Sequence, residues 1–247
     1  MNSQPLLTNE WVIAFLLNFV LISFAQRFAL LTKRGWCHAG ILGTLVWGCI
    51  GWQGWLAVCI YLFLGSLVTK IGYAKKDLMG IAEARGGRRG PENVWGSAAT
   101  GCCLVILSQL SSEYSTIFLI GFAASFTAKL ADTFGSEIGK IYGRKAFLIT
   151  TFRRVKPGVD GAISVEGTLA SLAGSLLMGS VMLALSLIPD GRSFLIISLS
   201  GFLATILESF IGAFAQGRLL WLTNELVNSV QTTLSAIIAI FLSFFIF

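Results

Sequence analysis

Apolar residues run along this chain in blocks too long for a half-buried strand and too uniformly apolar for a helix with one wet face. The stretches Trp11–Ala25, Ile117–Phe126, Leu169–Leu187 and Ile237–Phe247, with their small and hydroxyl neighbours, approach or reach the roughly 20 residues that cross a hydrocarbon core. A lone strand would leave backbone groups unpaired in lipid, so these blocks are predicted to be helices. Eight spans result, at about 10–27, 38–51, 54–72, 93–110, 115–137, 164–188, 194–216 and 224–247. Residues 38–72 exceed the roughly 25 that a single span uses. Because Gly51-Trp52-Gln53-Gly54 reads as a turn, that block is divided into a short pair. The predicted class is all-α, a multi-spanning transmembrane bundle of about eight helices in one membrane domain covering residues 1–247.

Composition agrees: 55% of the residues are hydrophobic and 12% charged, more apolar surface than a soluble chain of 247 residues buries. Charge tests the span count independently. Alternating the loops between two sides puts seventeen of the 18 basic residues together. They are Arg27, Lys33, Arg34, Lys70, Lys75, Lys76, Arg85, Arg88, Arg89, Lys129, Lys140, Arg144, Lys145, Arg153, Arg154, Lys156 and Arg218, against Arg192 alone on the other side. The positive-inside rule makes the rich side cytoplasmic and places both termini on the non-cytoplasmic side. The net charge of +6 is thus a local excess and not the footprint of a nucleic-acid partner. The first span has no basic flank or small-residue cleavage site and no Arg- and Ser-rich transit stretch before it, so it is expected to be retained. The five cysteines show neither CxxC nor Cys/His spacing and read as small packing residues. Gly167, Ser171, Ser175 and Gly179 form a stripe that lets helix backbones approach.

Two cytoplasmic loops, about 73–92 and 138–163, are long and rich in Gly and Arg, as functional loops often are. In the first, Arg88 and Arg89 sit among flexible glycines before Pro91 and Asn93, where free amides at a helix start would join two guanidinium forks on a phosphate. It lacks the Walker pattern and is no P-loop. In the second, Arg153, Arg154 and Lys156 precede Asp160, offering both phosphate and metal partners. Between them, the fifth helix closes on Lys129, Asp132, Ser136, Glu137 and Lys140. Asp132, Ser136 and Lys140 share a face, whereas Glu137 lies about 140° round from Asp132, so one cleft holds both only by wrapping the helix. Glu208 in the seventh helix and Asn224, Glu225 and Asn228 opening the eighth are polar groups that lipid would not tolerate unless they faced protein or water. Gln231 and Ser235 read as interhelical hydrogen bonders, and the lone His38 as an interfacial structural residue.

The motifs at 87–97, 129–140, 153–164, 208–212 and 224–228 together resemble an integral membrane family, formerly of unknown function, over roughly residues 10–240. That family includes the phytyl-phosphate kinase of tocopherol and phylloquinone synthesis. The resemblance implies phosphoryl transfer from a nucleoside triphosphate, CTP, to phytyl monophosphate, in a plasma or thylakoid membrane if the source is a photosynthetic bacterium. It also implies distant kinship with polyprenol kinases and phosphatidate cytidylyltransferases. What two polyphosphates require suggests the roles. Asp132, Glu137 and Asp160 would hold Mg2+; Arg88, Arg89, Arg153, Arg154 and Lys156 would offset phosphate charge; Asn93, Ser136, Asn224 and Asn228 would orient oxygens. The isoprenoid phosphate, the nucleotide and membrane lipid are the implied partners. A cytidylyltransferase, a kinase for another lipid and a lipid-phosphate transporter are the other readings of the same residues. The topology makes a direct prediction: in a cysteine-free background, single cysteines near Gly87 and Gly158 label only from the cytoplasm. Labelling of either from the opposite side would dissolve the common site.

Overall fold

A computed structural model describes residues 9–215, 219 and 221–245, so Arg218 of the basic set lies outside the described residues. The helices are α1 (Asn9–Ala25), α2 (Lys33–Lys70), α3 (Tyr73–Leu78), α4 (Pro91–Leu110), α5 (Ser115–Tyr142), α6 (Val165–Ala184), α7 (Gly191–Phe214) and α8 (Asn224–Ser243). Six of them are long and apolar enough to cross a membrane, and α1, at 17 residues, is a shorter apolar helix. The protein is an all-α, multi-spanning membrane bundle.

α2 is helical on both sides of Gly51, whose φ of 79° and ψ of −176° suit only glycine. A straight helix would hold residues 43 and 55 roughly 18 Å apart at 1.5 Å per residue. Here a Cβ on Gly43 would stand 3.2 Å from the Trp55 ring, and Trp47 packs on Trp55 with centroids 5.4 Å apart. Both far ends of the stretch, Gly35 and Gly65, meet Arg89. The two limbs therefore run back on each other, as the divided spans 38–51 and 54–72 require. Trp11 packs against Gly48 near the same turn, while Leu31 bridges to Arg89, so α1 runs from the turn end of the bundle to the Arg89 end.

α5 is the central helix, with an almost unbroken buried run from Ile120 to Ala131. The small-residue stripe of α6 does the packing its spacing implies. A Cβ on Gly167 would come 2.9 Å from the Gly135 carbonyl of α5, and one on Gly174 3.0 Å from that of Leu130. Deeper in, Ser175 donates to the Ser198 carbonyl of α7 at 2.6 Å. On α8, Gln231 donates to the Ala128 carbonyl and to Thr205 Oγ1, and Ser235 to the Ala124 carbonyl, the interhelical bonds expected of them. His38 accepts from the Trp95 indole at 2.9 Å, also a structural contact.

The second loop departs from the irregular segment expected. α5 continues to Tyr142, and β1 (Ala146–Leu148), β2 (Arg154–Val155) and β3 (Ala162–Ile163) follow as a small antiparallel sheet in the order β2-β1-β3. Ala146 pairs with Val155 and Phe147 with Ile163. Strands of two or three residues among Gly, Arg and Pro are too short to leave an alternating pattern.

If the reversal at Gly51 holds the hairpin together, Gly51→Ala forces a Cβ into backbone space that only glycine enters and costs about 1–3 kcal/mol. Thermal unfolding in detergent measures this; an unchanged midpoint would mean that the turn is not strained.

Candidate functional site

At the end of the bundle away from Gly51, a cavity of about 430 Å³ opens between the two loops and the ends of α4, α5, α6, α7 and α8. Its walls include Arg88, Arg89, Asn93, Asp132, Ser136, Glu137, Lys140, Asp160, Glu208, Asn224, Glu225 and Asn228. Twelve of the fifteen site residues expected from the sequence thus come together from five separated segments. Asp132 and Glu137 both line it despite their angular separation, because the cavity wraps the end of α5.

Two short-range networks hold this wall. Glu137, only 1% exposed, pairs through one oxygen with the fully buried Lys76 of α3 and accepts from Lys140 through the other at 2.7 Å. Lys76 also donates to the Thr69 carbonyl at 2.7 Å, and Lys140 reaches Glu83 at 3.0 Å, so the first loop is tied to α5 by charge. The second network centres on Lys129, which pairs with Asp132 and donates to Asn228 Oδ1 at 2.8 Å, joining α5 to α8. At the start of α4, Asn93 accepts from the Gly90 N–H at 2.9 Å and from Arg85 at 2.7 Å, and donates to Glu225 at 3.1 Å. Arg89 is fixed differently: its guanidinium donates to the Tyr61 hydroxyl at 2.7 Å and lies over that ring.

The motif from Glu208 to Gly212 acquires a reason. A Cβ on Gly212 would stand 3.0 Å from the Gly161 nitrogen, so the second loop rests its backbone on α7 one turn beyond Glu208. Gly161 makes that approach with a φ of 74°. Asp160 is thereby brought within Coulombic reach of Glu208, which is likewise within reach of Asp132 and Lys129. Partial burial lifts the Asp160 carboxyl above its ordinary range, with Lys140 opposing. For Glu83, burial acts upward, but the Lys140 ammonium, helped by Lys129 and Arg89, outweighs it and holds the carboxyl below its usual value.

Arg153, Arg154 and Lys156 do not line the cavity. They are exposed, and β2, which carries Arg154, forms the outer edge of the small sheet while β3 is the strand packed on α7. Conversely, Lys76, Glu83, Arg85, Lys129 and Ser97 belong to the site or its supports. Lys76 and Arg85 carried only a topological signal in the sequence, since their partners Glu137 and Asn93 are identified by the fold. Among the described residues, no three His, Cys, Asp or Glu side chains converge closely enough to hold a metal unaided.

The profile of the integral membrane protein family DUF92 matches residues 16–236. The chain belongs to this family. It is 46% identical over 233 residues to the uncharacterized membrane protein sll0875 of Synechocystis, covering 93% of this chain and 90% of that one. Protein VTE6, chloroplastic, of Arabidopsis thaliana is 40% identical over 221 residues, 87% of this chain and 66% of the relative. The uncharacterized membrane protein MJ0933 of Methanocaldococcus jannaschii is 31% identical over 229 residues, 90% and 92% of the two chains. No solved structure matches.

Lys76 tests the buried network. Lys76→Met removes one of the two cations that meet the nearly unexposed Glu137 carboxylate, with Lys140 remaining, and should cost about 1–3 kcal/mol of stability. Adding Glu137→Gln removes the charge that has lost Lys76 and should recover part of the loss. A single variant as stable as wild type, or a double variant no better than the single, contradicts the pairing.

Proposed function

We propose that this protein is a lipid-phosphate kinase that transfers the γ-phosphoryl group of CTP to phytyl phosphate, giving phytyl diphosphate for tocopherol and prenyl-quinone synthesis. The observation that carries the reading is the gathering of basic, acidic and amide side chains from both loops and the helix ends into one cavity at the end of an otherwise apolar bundle. Membership in the same family as VTE6 supports a kinase-type role in isoprenoid metabolism. In this reading the cavity faces the cytoplasm, where the nucleotide is.

The reaction asks little covalent chemistry of the protein. An oxygen of the lipid monophosphate, already anionic, attacks the γ-phosphorus; the bond to the β-phosphate oxygen breaks, and CDP leaves. No side chain needs to remove a proton, so positioning and charge supply the acceleration. Arg88 is exposed at the cavity rim and has no ion-pair partner among the described residues, which frees its fork for a phosphate. Lys129 and Lys140 add positive charge to the wall, and Asn224, Asn228 and Ser136 offer groups that orient oxygens.

Mg2+ fits the donor set. It is commonly bound through one or two carboxylates with substrate phosphates and water completing its shell, so no protein cage is required. We assign that role to Asp132 and Glu208, with Asp160 alongside; Glu208 accepts no hydrogen bond among the described residues, whereas both oxygens of Glu137 are engaged by lysines. When bound, the ion would neutralise charge on the transferring phosphates. Glu137 then organises Lys76 and Lys140 and does not bind the metal.

Purified protein supplied with phytyl phosphate and γ-labelled CTP should place label in the lipid, and Asp132→Asn should lower that transfer about 100-fold or more while the protein stays folded. Label released in pyrophosphate would replace the kinase with a cytidylyltransferase. Identical rates and Mg2+ dependence in wild type and Asp132→Asn would remove Asp132 from the site.

A further inference from the structure

Next to the polar cavity lies a second, almost wholly apolar one of about 390 Å³, between α1, the two limbs of α2, and α4. Ile22, Ala39, Val58, Leu62, Val94 and Phe126 form much of its wall. The two cavities share three residues: Arg89, Asn93 and Ser97. At its far end the Trp55 indole donates to Asn18 Oδ1 at 2.9 Å, both residues lining the groove. Arg89 meets α2 at Gly65, ten residues before the chain reaches Trp55 in the other direction, so the groove runs about 15 Å into the bundle at the helical rise.

The junction is a place for an anion. Arg89 is held by backbone bonds to the segment before α2, its N–H donating to the Leu30 carbonyl at 3.0 Å and its carbonyl accepting from Thr32 at 3.0 Å. Its guanidinium contacts Tyr61 and has no carboxylate partner among the described residues, leaving fork donors for a ligand. Ser97 beside it is 5% exposed, and its hydroxyl makes no hydrogen bond among the described residues. A fixed cation and a hydroxyl with no hydrogen bond among the described residues thus stand where an apolar tube meets a polar chamber.

We infer that this groove is the tail subsite of the lipid acceptor: it takes one hydrocarbon chain of a lipid monophosphate, whose phosphate rests at Arg89 and Ser97 and projects into the polar cavity. The identity of that phosphate as a phosphoryl acceptor rests on the kinase reading; the placement of the tail does not. A tail arriving from the bilayer leaves surroundings as apolar as the groove, so burial contributes little affinity. What the groove supplies is direction, presenting the phosphate at a fixed depth to the nucleotide. Five-carbon tails would reach little of it, and a two-chain phospholipid would have to leave one chain outside.

The probe is a farnesyl monophosphate carrying a diazirine at the tail end, photolysed with the intact protein in detergent without nucleotide. Label should fall on the α1 and α2 segments around Asn18, Gly43 and Trp55, and unlabelled phytyl monophosphate should displace it where phytol does not. Val58→Trp, which fills the groove, should weaken labelling about tenfold, the scale of an overpacked site. Label spread over the lipid-facing sides of α6 and α7, or displaced equally by phytol or a two-chain phosphatidate, overturns the proposal. Specific groove labelling in a protein that fails to phosphorylate phytyl monophosphate would retain the subsite and sink the kinase; phosphoryl transfer with label elsewhere would do the reverse.

Discussion

A highly charged chamber at the end of an apolar bundle can persist only if its buried charges are answered, because an unpaired ion in such surroundings would have to neutralise or drag the structure open. Here the answering is done around the last turns of α5. Lys129 meets Asp132 and Asn228, and Glu137 meets Lys76 and Lys140, so the central helix is fastened to α3, to the first loop and to α8 through ion pairs and hydrogen bonds. Everything else at the site leans on those fastenings. With Lys140 tied to Glu83, the first loop sits against α5, and its Arg88 and Arg89 line the same chamber as Asp132. With α8 joined at Asn228 and at Glu225, its polar first turns close the remaining side.

The glycines complete the arrangement by letting backbones touch where side chains would hold them apart. Gly167 and Gly135 bring α6 onto α5, and Gly161 against Gly212 seats the second loop on α7. That seating brings Asp160 of the second loop within Coulombic reach of Glu208, and both line the chamber with Asp132. The chemistry proposed for the chamber, charge compensation around two phosphates, therefore follows from packing as much as from the side chains that face inward. Arg89 belongs to both halves of the design, since its guanidinium borders the polar chamber and the apolar groove together.

Much of this was legible in the sequence because the physical signals were local or periodic. The length of the apolar block at 38–72 together with Gly51-Trp52-Gln53-Gly54 required a reversal, and the structure makes it at Gly51. The one-sided distribution of lysine and arginine put the polar motifs at a common end, where most of them meet. What escaped the reading depended on distant partners. Nothing near Lys76 distinguishes it from a topogenic lysine, and its role appears only when Glu137, 61 residues away, folds onto it. Tyr61 is hidden in an apolar run, so its hold on Arg89 leaves no mark. Arg153 and Arg154 resemble a phosphate clamp in one dimension, yet the edge position of β2 turns them away from the chamber.

The central claim is that one chamber receives the polyphosphate, with its charge met by Arg88 and Arg89 on one wall and by a metal on Asp132 and Glu208 on the other. The structure of the protein crystallised with Mg2+ and a non-hydrolysable CTP analogue tests it most directly. The account predicts density for the triphosphate in the chamber lined by Arg88 and Asp132, with the ion held by Asp132 or Glu208. A nucleotide bound elsewhere, or a chamber left to water and solvent ions at saturating nucleotide, would contradict it.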